Sequence, residues 1–169
     1  MPTPITDEEL LDRLPGVRID ADNAAYWRGL LEHRLLLNRC RPCGHWHHPP
    51  RPVCPRCWSQ EIEATPVSGQ GVIDLFTVLH QGPRRAGVDY SEGHVVAGIG
   101  LVEQPGLRVA AAVVGTPAGD VRVGSPVHLA WQDVEGRPVP VFRIDADAGS
   151  ATDIGTGAGT STGNRGGQL

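Results

Sequence analysis

The sequence contains no lysine, although it contains 15 arginines. Without lysine, the chain can form neither a Schiff base with a carbonyl substrate nor a P-loop phosphate site. The six serines lie in no Gly-x-Ser-x-Gly motif, which excludes the nucleophile elbow of the α/β-hydrolases. No apolar run approaches the roughly 20 residues that span a membrane, so we expect no membrane partner. The remaining candidate nucleophiles are hydroxyls and carboxylates.

Cysteine is scarce as well, and its four copies are arranged in two pairs. Two residues separate Cys40 from Cys43 and Cys54 from Cys57, and ten residues lie between the pairs. Such paired turns direct four thiolates at one ion, in the tetrahedral geometry that zinc adopts in closed structural sites. We therefore predict that these four cysteines hold a structural zinc, although iron in a rubredoxin-type site would use the same ligands. The alternative is two disulfides, but no signal peptide is visible and we expect a cytoplasmic location, where thiols stay reduced.

Three histidines, His45, His47 and His48, lie between the cysteine pairs. A mixed Cys/His site with an open catalytic position would recruit some of them, but four thiolates already saturate a tetrahedral ion. We therefore predict no catalytic residue, and we expect the histidines to be exposed to solvent or hydrogen-bonded to a partner. Trp46 and Trp58 flank the cysteine pairs and are expected to cover the sulfur atoms.

Two short helices are predicted before the cysteines. Thr6 and Glu9 have the spacing of a capping box for the first helix, and the second is expected to begin at Asp22 or Asn23. The apolar residues of the second helix recur at helical spacing and are Ala24, Trp27, Leu30 and Leu31. Helices this short need a surface to dock on, which is either the chain's own core or a partner subunit.

Beyond the cysteines, short segments rich in Val and Ile alternate with Gly and Pro. This pattern predicts five strands, at residues 71–79, 95–102, 107–114, 125–131 and 139–144. Five short antiparallel strands suit a closed OB-fold barrel, which leaves no exposed strand edge. The predicted fold class is mainly β with N-terminal helices, in which a rubredoxin-like four-cysteine zinc ribbon precedes a five-stranded OB-fold barrel.

The domain boundaries follow from these changes of pattern. We predict N-terminal helices and a lead-in strand at 1–38, the zinc ribbon at 39–65, the barrel at 66–144 and a tail at 145–169. The tail is rich in Gly, Ala, Ser and Thr, which bury too little apolar surface to offset the entropy of ordering. We therefore expect the tail to be flexible.

Six segments together carry a family resemblance. They are Trp27-x-x-Leu30, Leu35-Leu36-Leu37-Asn38-Arg39-Cys40, Cys40-x-x-Cys43-Gly44, Pro49-Pro50-Arg51-x-x-Cys54-Pro55-x-Cys57, Ser68-Gly69-x-Gly71 and Val121-x-Val123-Gly124-x-Pro126-Val127. In this order, over about residues 20–144, they resemble the zinc-ribbon/OB-fold proteins that accompany acyl-CoA thiolases and thiolase-like aldolases. That family has long been described as a domain of unknown function.

The resemblance implies an accessory subunit that is not catalytic alone. Its thiolase-fold partner would carry the reaction, in a hetero-oligomer that is an acyl-CoA lyase or acyltransferase, and this chain would stabilise the partner and help to form its acyl-CoA channel. Bacterial relatives serve carbon–carbon cleavage or formation on acyl-CoA esters, including degradation of sterol side chains. Acyl-CoA is then a shared ligand, and Arg84 and Arg85 are candidates to bind its phosphates through guanidinium hydrogen bonds. The alternative is that these arginines lie in a solvated loop.

Nucleic-acid binding is the competing functional class, because zinc ribbons and OB barrels both serve it. Single-strand binders use a positive groove and aromatic residues on the barrel strands. This chain has a net charge of −4, no lysine, and few aromatic residues on its predicted strands. We therefore expect no nucleic-acid partner and keep single-strand binding as the alternative function. A freestanding zinc enzyme is disfavoured because the predicted metal is closed and no credible nucleophile remains.

Overall fold

The computed structural model describes residues 5–83 and 88–145. The helices are α1 (Asp7–Arg13) and α2 (Ala24–Leu31), with one turn of 3₁₀-helix at Ala118–Asp120. The strands are β1 (Leu36–Cys40), β2 (Trp46–His47), β3 (Ile62–Pro66), β4 (Gln70–Leu79), β5 (His94–Leu101), β6 (Arg108–Val113), β7 (Pro126–Val134) and β8 (Arg137–Ile144). Among the described residues, no helix is both long enough and apolar enough to cross a membrane.

Helix α1 begins with the predicted capping box. The backbone N–H of Glu9 donates to Thr6 Oγ1 at 3.2 Å, and the backbone N–H of Thr6 donates to Glu9 Oε2 at 2.9 Å. These two bonds satisfy amide donors that an isolated helix would leave unpaired. Leu10, on the inner face of α1, is fully buried and packs in a small cluster with Leu14 and Leu31.

Helix α2 connects this small cluster to the main core. Leu31 packs against α1, whereas Leu30 belongs to the barrel core. The helix approaches β1 closely at Gly29, where a Cβ atom would lie 2.7 Å from Leu36 Cγ and from the Arg34 carbonyl oxygen. Of the two expected docking surfaces, the chain's own core therefore receives the apolar side of α2.

The segment that carries the cysteines forms a three-stranded antiparallel sheet in the order β2-β1-β3. In its register, Asn38 lies opposite His47 on one side and Cys40 lies opposite Ile62 on the other. The central strand β1 begins within the apolar run at Leu35–Leu37, whose side chains are buried. This strand therefore anchors the ribbon to the apolar core and delivers Cys40 to the end of the sheet.

The remaining five strands close into a barrel in the order β4-β5-β6-β8-β7. All neighbours are antiparallel except β6 and β8, whose short parallel pairing closes the barrel. Ile73, Ile99 and Phe142 are fully buried inside it. The prediction of a five-stranded OB-fold barrel is confirmed, as is the mainly β fold class.

Two strands extend further than predicted, because the turn between them is tight. Glu135 and Gly136 have φ values of 55° and 76° and join β7 directly to β8. Positive φ at both central residues is the conformation of the two-residue hairpin turn that matches the twist of its strands. Pairing therefore continues to Val134 opposite Arg137. The sequence prediction had ended β7 at residue 131 and begun β8 at residue 139.

Candidate metal centre

The structure brings the four predicted ligands together. The Sγ atoms of Cys40, Cys43, Cys54 and Cys57 all lie within 4.8 Å of one another. Two of the separations are 3.5 Å, between Cys40 and Cys57, and 3.7 Å, between Cys43 and Cys54. Zinc–sulfur bonds of about 2.3 Å in a tetrahedron place sulfur atoms about 3.8 Å apart. The spacing and the thiolate chemistry of the donors therefore fit a tetrahedral metal ion.

The same distances argue against the disulfide alternative. All four cysteines are free. A disulfide requires an S–S distance of about 2.05 Å, well below the 3.5 Å that separates Cys40 from Cys57. Two disulfides would also require the sulfur atoms to move apart into separate pairs, whereas here they converge.

The two cysteine turns repeat the same backbone geometry. In the first, the Cys40 N–H donates to the His45 carbonyl and the Gly44 N–H donates to the Cys40 carbonyl, both at 2.9 Å. In the second, the Cys54 N–H donates to the Ser59 carbonyl at 2.9 Å and the Trp58 N–H donates to the Cys54 carbonyl at 3.0 Å. Backbone hydrogen bonds within each turn therefore contribute to the orientation of its two thiols.

The fifth residue of each turn adopts a left-handed conformation. Gly44 has φ 70° and Trp58 has φ 63°. Glycine adopts this conformation without steric cost, whereas a residue with a Cβ atom pays about 1–2 kcal/mol. The second turn therefore carries local strain that the first avoids. Trp58 is also 79% exposed, so the expectation that it covers the sulfur atoms is wrong.

The four thiols differ in burial and in acidity. Cys40 and Cys54 are fully buried, whereas Cys57 is exposed. Burial raises the pKa of Cys40 to about 12. Burial also opposes ionisation of Cys54, but hydrogen bonds from the backbone N–H groups of Cys57 and Arg56 and from neighbouring thiols lower the pKa of Cys54 to about 7. Because metals bind thiolates, a metal that enters must displace the proton from Cys40.

The histidines between the turns differ from the sequence expectation. His47 is only 7% exposed, so the expectation of a solvent-exposed side chain is wrong for this residue. Its ring lies parallel to that of His45 at a centroid distance of 6.4 Å, and the His48 ring lies 5.5 Å from that of Tyr26. The reason is the short strand β2, which pairs His47 with Asn38 of β1 and turns its side chain into the protein.

Trp46 connects the ribbon to the barrel, a role that its sequence context did not reveal. Its backbone N–H donates to Gln104 Oε1 at 2.9 Å, and Gln104 Nε2 donates to its carbonyl at 3.1 Å. The Arg39 guanidinium lies over the indole, 5.4 Å from its centroid. Gln104 lies 58 residues further along the chain in a loop, so no local sequence signal could have indicated this pair of bonds.

The remaining candidate residues lie around the β4–β5 loop. Arg84 and Arg85, the predicted coenzyme A contacts, lie outside the described residues. Asp89 accepts hydrogen bonds from the Ser91 backbone and hydroxyl, and these bonds lower the pKa of its carboxyl. Tyr90 donates to the Pro83 carbonyl at 3.2 Å. Asp89 and Tyr90 therefore stabilise the end of the loop.

Two family models match the chain. One, described as the ChsH2 rubredoxin-like zinc ribbon domain, matches residues 27–63, and the other, the ChsH2 C-terminal OB-fold domain, matches residues 64–132. The chain belongs to the ChsH2 (DUF35) family. The predicted resemblance to this family is therefore confirmed, and the four-cysteine segment falls within its zinc ribbon domain.

Several relatives within the ChsH2 family are named subunits or scaffolds. The chain is 32% identical over 130 residues to a probable enoyl-CoA hydratase alpha subunit of Thermomonospora curvata, a match covering 76% of this chain and 39% of that protein. It is 30% identical over 111 residues to a DUF35 domain-containing scaffold protein of Methanocaldococcus jannaschii, covering 64% of this chain and 76% of the scaffold. It is 34% identical over 91 residues to the benzoylsuccinyl-CoA thiolase subunit BbsA of Thauera aromatica, covering 54% and 58% respectively.

One solved structure resembles this protein in three dimensions. It is a chain of an Ltp2-ChsH2(DUF35) aldolase, 32% identical, with a TM-score of 0.67, and the match covers 76% of this chain and 98% of that one. The match to the hydratase subunit is less complete, because this chain spans about two fifths of that protein's length. Almost the entire aldolase chain therefore has a counterpart in this protein. The hydratase subunit, by contrast, contains a further region outside the match.

Proposed function

We propose that this chain is a non-catalytic accessory subunit of a thiolase-fold enzyme that acts on acyl-CoA esters. The observation that carries the proposal is the match to the ChsH2(DUF35) chain of an aldolase, which covers 98% of that chain. A relative that is a subunit of a thiolase supports the same class of partner. In this proposal the partner supplies the catalytic groups, and this chain shapes the complex.

The metal centre supports a structural role. Four thiolates complete the coordination of a tetrahedral ion and leave no position for substrate or water. We propose that the ion is zinc, held by Cys40, Cys43, Cys54 and Cys57, in a reducing compartment such as the cytoplasm. Zinc binding would then stabilise residues 39–65, which have few aliphatic side chains to bury. The ribbon, the barrel at 66–144 and the tail at 145–169 remain our proposed divisions of the chain.

Trp58 is our proposed anchor for the partner. Its indole is largely exposed on a turn that backbone hydrogen bonds and the metal would hold rigid. Exposed tryptophans on rigid elements are enriched among the residues that contribute most binding energy at interfaces. The cysteine turn itself does not need a side chain at this position, since Gly44 adopts the same left-handed conformation in the first turn without one. A function in docking accounts for the retention of a bulky residue there.

Acyl-CoA as a ligand shared with the partner is also part of this proposal. Arg84 and Arg85 would contact its phosphates from the β4–β5 loop. Replacing both with alanine should weaken acyl-CoA binding by the assembled complex without changing the assembly itself. Unchanged acyl-CoA affinity, measured by calorimetry on the purified complex, would remove these residues from the site.

The proposed function is tested by isolating the tagged full chain from its host under native conditions. We expect a thiolase-fold protein to co-purify in stoichiometric amount and to withstand moderate salt. Acyl-CoA turnover should require that protein and should be absent from this chain alone. Isolation of the chain without a partner, with salt-sensitive binding of single-stranded nucleic acid in a polarisation assay, would instead establish the alternative function.

A further inference from the structure

A polar cavity lies between the zinc ribbon and the barrel, apart from the cysteine sulfur atoms. Its volume is about 320 Å³. The ribbon side is lined by His45, His47, His48 and Arg51, and the barrel side by Gln104 and Arg108 from the β5–β6 connection and the start of β6. We call it the histidine cavity. The size is within the range of small-ligand sites.

The charge of the histidine cavity is opposite in sign to that of the protein. The chain carries a net charge of −4, yet the described residues that line the cavity include two arginines and neither aspartate nor glutamate. Arg108 is paired with Asp74 at 2.8 Å, so Arg51 contributes the larger share of the local positive charge. Burial lowers the pKa of His47, and the positive charges of His45 and Arg51 lower it further. The nearby Arg51 backbone has the opposite effect on this pKa, smaller than that of burial.

Ring nitrogens beside the histidine cavity lack hydrogen-bond partners. The His48 Nδ1 atom has no partner among the described residues, and the His47 ring, which lies close to the Arg51 backbone, makes no hydrogen bond of good geometry; all three nitrogens are sealed from solvent. Buried polar atoms in folded proteins almost always have a partner, and an exception calls for a water, an ion or a ligand.

A metal cation does not fit this arrangement. Two arginines line the cavity, and the positive charge of Arg51 would repel a cation at short range. Within the described parts of the chain, three or more potential metal ligands converge at the four cysteines and not at this cavity. An anion, by contrast, would accept hydrogen bonds from the guanidinium groups and from imidazole N–H groups.

We propose that the histidine cavity binds a phosphoryl group. A phosphoryl group offers several strong acceptor oxygens, which suits a site lined by arginine and histidine side chains. Its source is either free phosphate or pyrophosphate, or the phosphate of a larger nucleotide-type ligand whose remaining parts extend out of the cavity. The inference rests on this cavity alone and does not require the proposed thiolase-fold partner.

The test follows the histidine side chains of the metal-loaded, ¹⁵N-labelled full chain by NMR. The probes are inorganic phosphate, pyrophosphate and adenosine 3′,5′-bisphosphate, with sodium chloride at matched ionic strength as the blank. We expect saturable shifts of the His47 and His48 ring resonances with the phosphate compounds and not with chloride. Tighter binding of the bisphosphate would identify a nucleotide-type source, and equal or tighter binding of phosphate or pyrophosphate would identify a free one.

A pair of charge-matched variants tests the location. Arg51→Gln should weaken phosphate binding about tenfold, the size of effect of one charge-assisted hydrogen bond. Arg34→Gln removes the same charge from an exposed residue next to Glu32 and should change the affinity less than about twofold. Both side chains are exposed, and metal content and circular dichroism confirm that each variant is folded. Absence of saturable shifts up to millimolar phosphate, or equal weakening in both variants, overturns the proposal.

Discussion

At the scale of single residues, Gly44 and Trp58 form a natural comparison. They occupy the same position in two turns with the same backbone hydrogen bonds. Both have a left-handed backbone, but only Trp58 has a Cβ atom, so only Trp58 is strained there. Trp58→Gly removes backbone strain of about 1–2 kcal/mol. The substitution also increases the entropy of the unfolded chain, which lowers the free energy of unfolding by about 0.4–1 kcal/mol. We therefore expect the free energy of unfolding of this variant to equal or slightly exceed that of the native chain, measured by denaturant titration.

The reciprocal substitution provides the control. Gly44→Ala introduces a side chain at φ 70°, where the nearest atom to the new Cβ would be 3.9 Å away. Its cost is therefore strain without a clash, and we expect a loss of about 1 kcal/mol. If Trp58→Gly lost more stability than Gly44→Ala, the indole would have a structural role that its exposure does not indicate.

The ligand cysteines allow a second prediction at this scale. Cys54→Ser removes a fully buried ligand, and we expect metal content to fall from one ion per chain to near zero, with loss of the ribbon fold. Structural zinc contributes on the order of 10–16 kcal/mol in small ribbons, so the remaining contacts of residues 39–65 cannot compensate. His45→Ala, at the end of the first cysteine turn, should keep its metal. Both are measured by atomic emission on purified chains, and loss of metal from His45→Ala would contradict the four-thiolate assignment.

At the scale of secondary-structure elements, the barrel depends on close backbone contact where β4 meets β5. A Cβ atom at Gly71 would lie 2.6 Å from the Gly100 carbonyl oxygen, and backbone cannot move aside as a side chain can. We expect Gly71→Ala to destabilise the chain by about 1–3 kcal/mol. Gly119→Ala, where no atom lies within 4 Å of the new Cβ, should change stability by less than about 0.5 kcal/mol. Equal effects of the two variants on thermal unfolding would show that β4 and β5 can move apart at Gly71 without loss of stability.

The ribbon elements also give a pH-dependent prediction through His48. Burial lowers the pKa of His48 below its usual 6.5, and the charge of His47 lowers it further. The unfolded chain therefore binds a proton more readily than the folded chain does. Stability should be unaffected well above pH 6.5, should fall as the pH drops below 6.5, and should level out below the folded pKa.

His48→Gln isolates this contribution from other acid effects. The variant lacks the titrating ring, so its stability should fall less steeply than that of the native chain as the pH drops below 6.5. Acid-induced loss of metal is common to both chains and cancels in the comparison. Identical pH slopes in urea titrations would mean that His48 does not couple protonation to folding.

Which elements were predictable from the sequence depended on whether the signal was local. The capping box of Thr6 and Glu9 and the paired cysteine turns are local patterns, and the structure places both as expected. The burial of His47 follows from its pairing with Asn38 in β1, and the contact of Trp46 with Gln104 spans 58 residues. No pattern in the neighbouring residues indicates either contact. The exposure of Trp58 was missed because hydrophobicity alone predicts burial, whereas a partner surface would explain exposure.

At the scale of the whole molecule, internal stability and assembly depend on different apolar groups. Helix α2 uses its apolar side for the chain's own cores, so the proposed docking depends on other exposed groups, chiefly Trp58. We expect Trp58→Ala to weaken binding of the thiolase-fold partner by at least about thirtyfold, the effect of a hot-spot residue. Val123→Ala truncates another exposed apolar side chain and should leave the affinity unchanged, as measured by calorimetry. Equal affinities for both variants would place the interface elsewhere.

The central claim is that the metal in this chain is fully enclosed by protein sulfur and therefore structural. X-ray absorption spectroscopy of the purified, metal-loaded chain measures this coordination directly. We predict zinc with four sulfur neighbours at about 2.3 Å and no lighter ligand. An oxygen or nitrogen atom in the first coordination sphere would reveal an open position for water or substrate, and would contradict the assignment of this chain as a non-catalytic subunit.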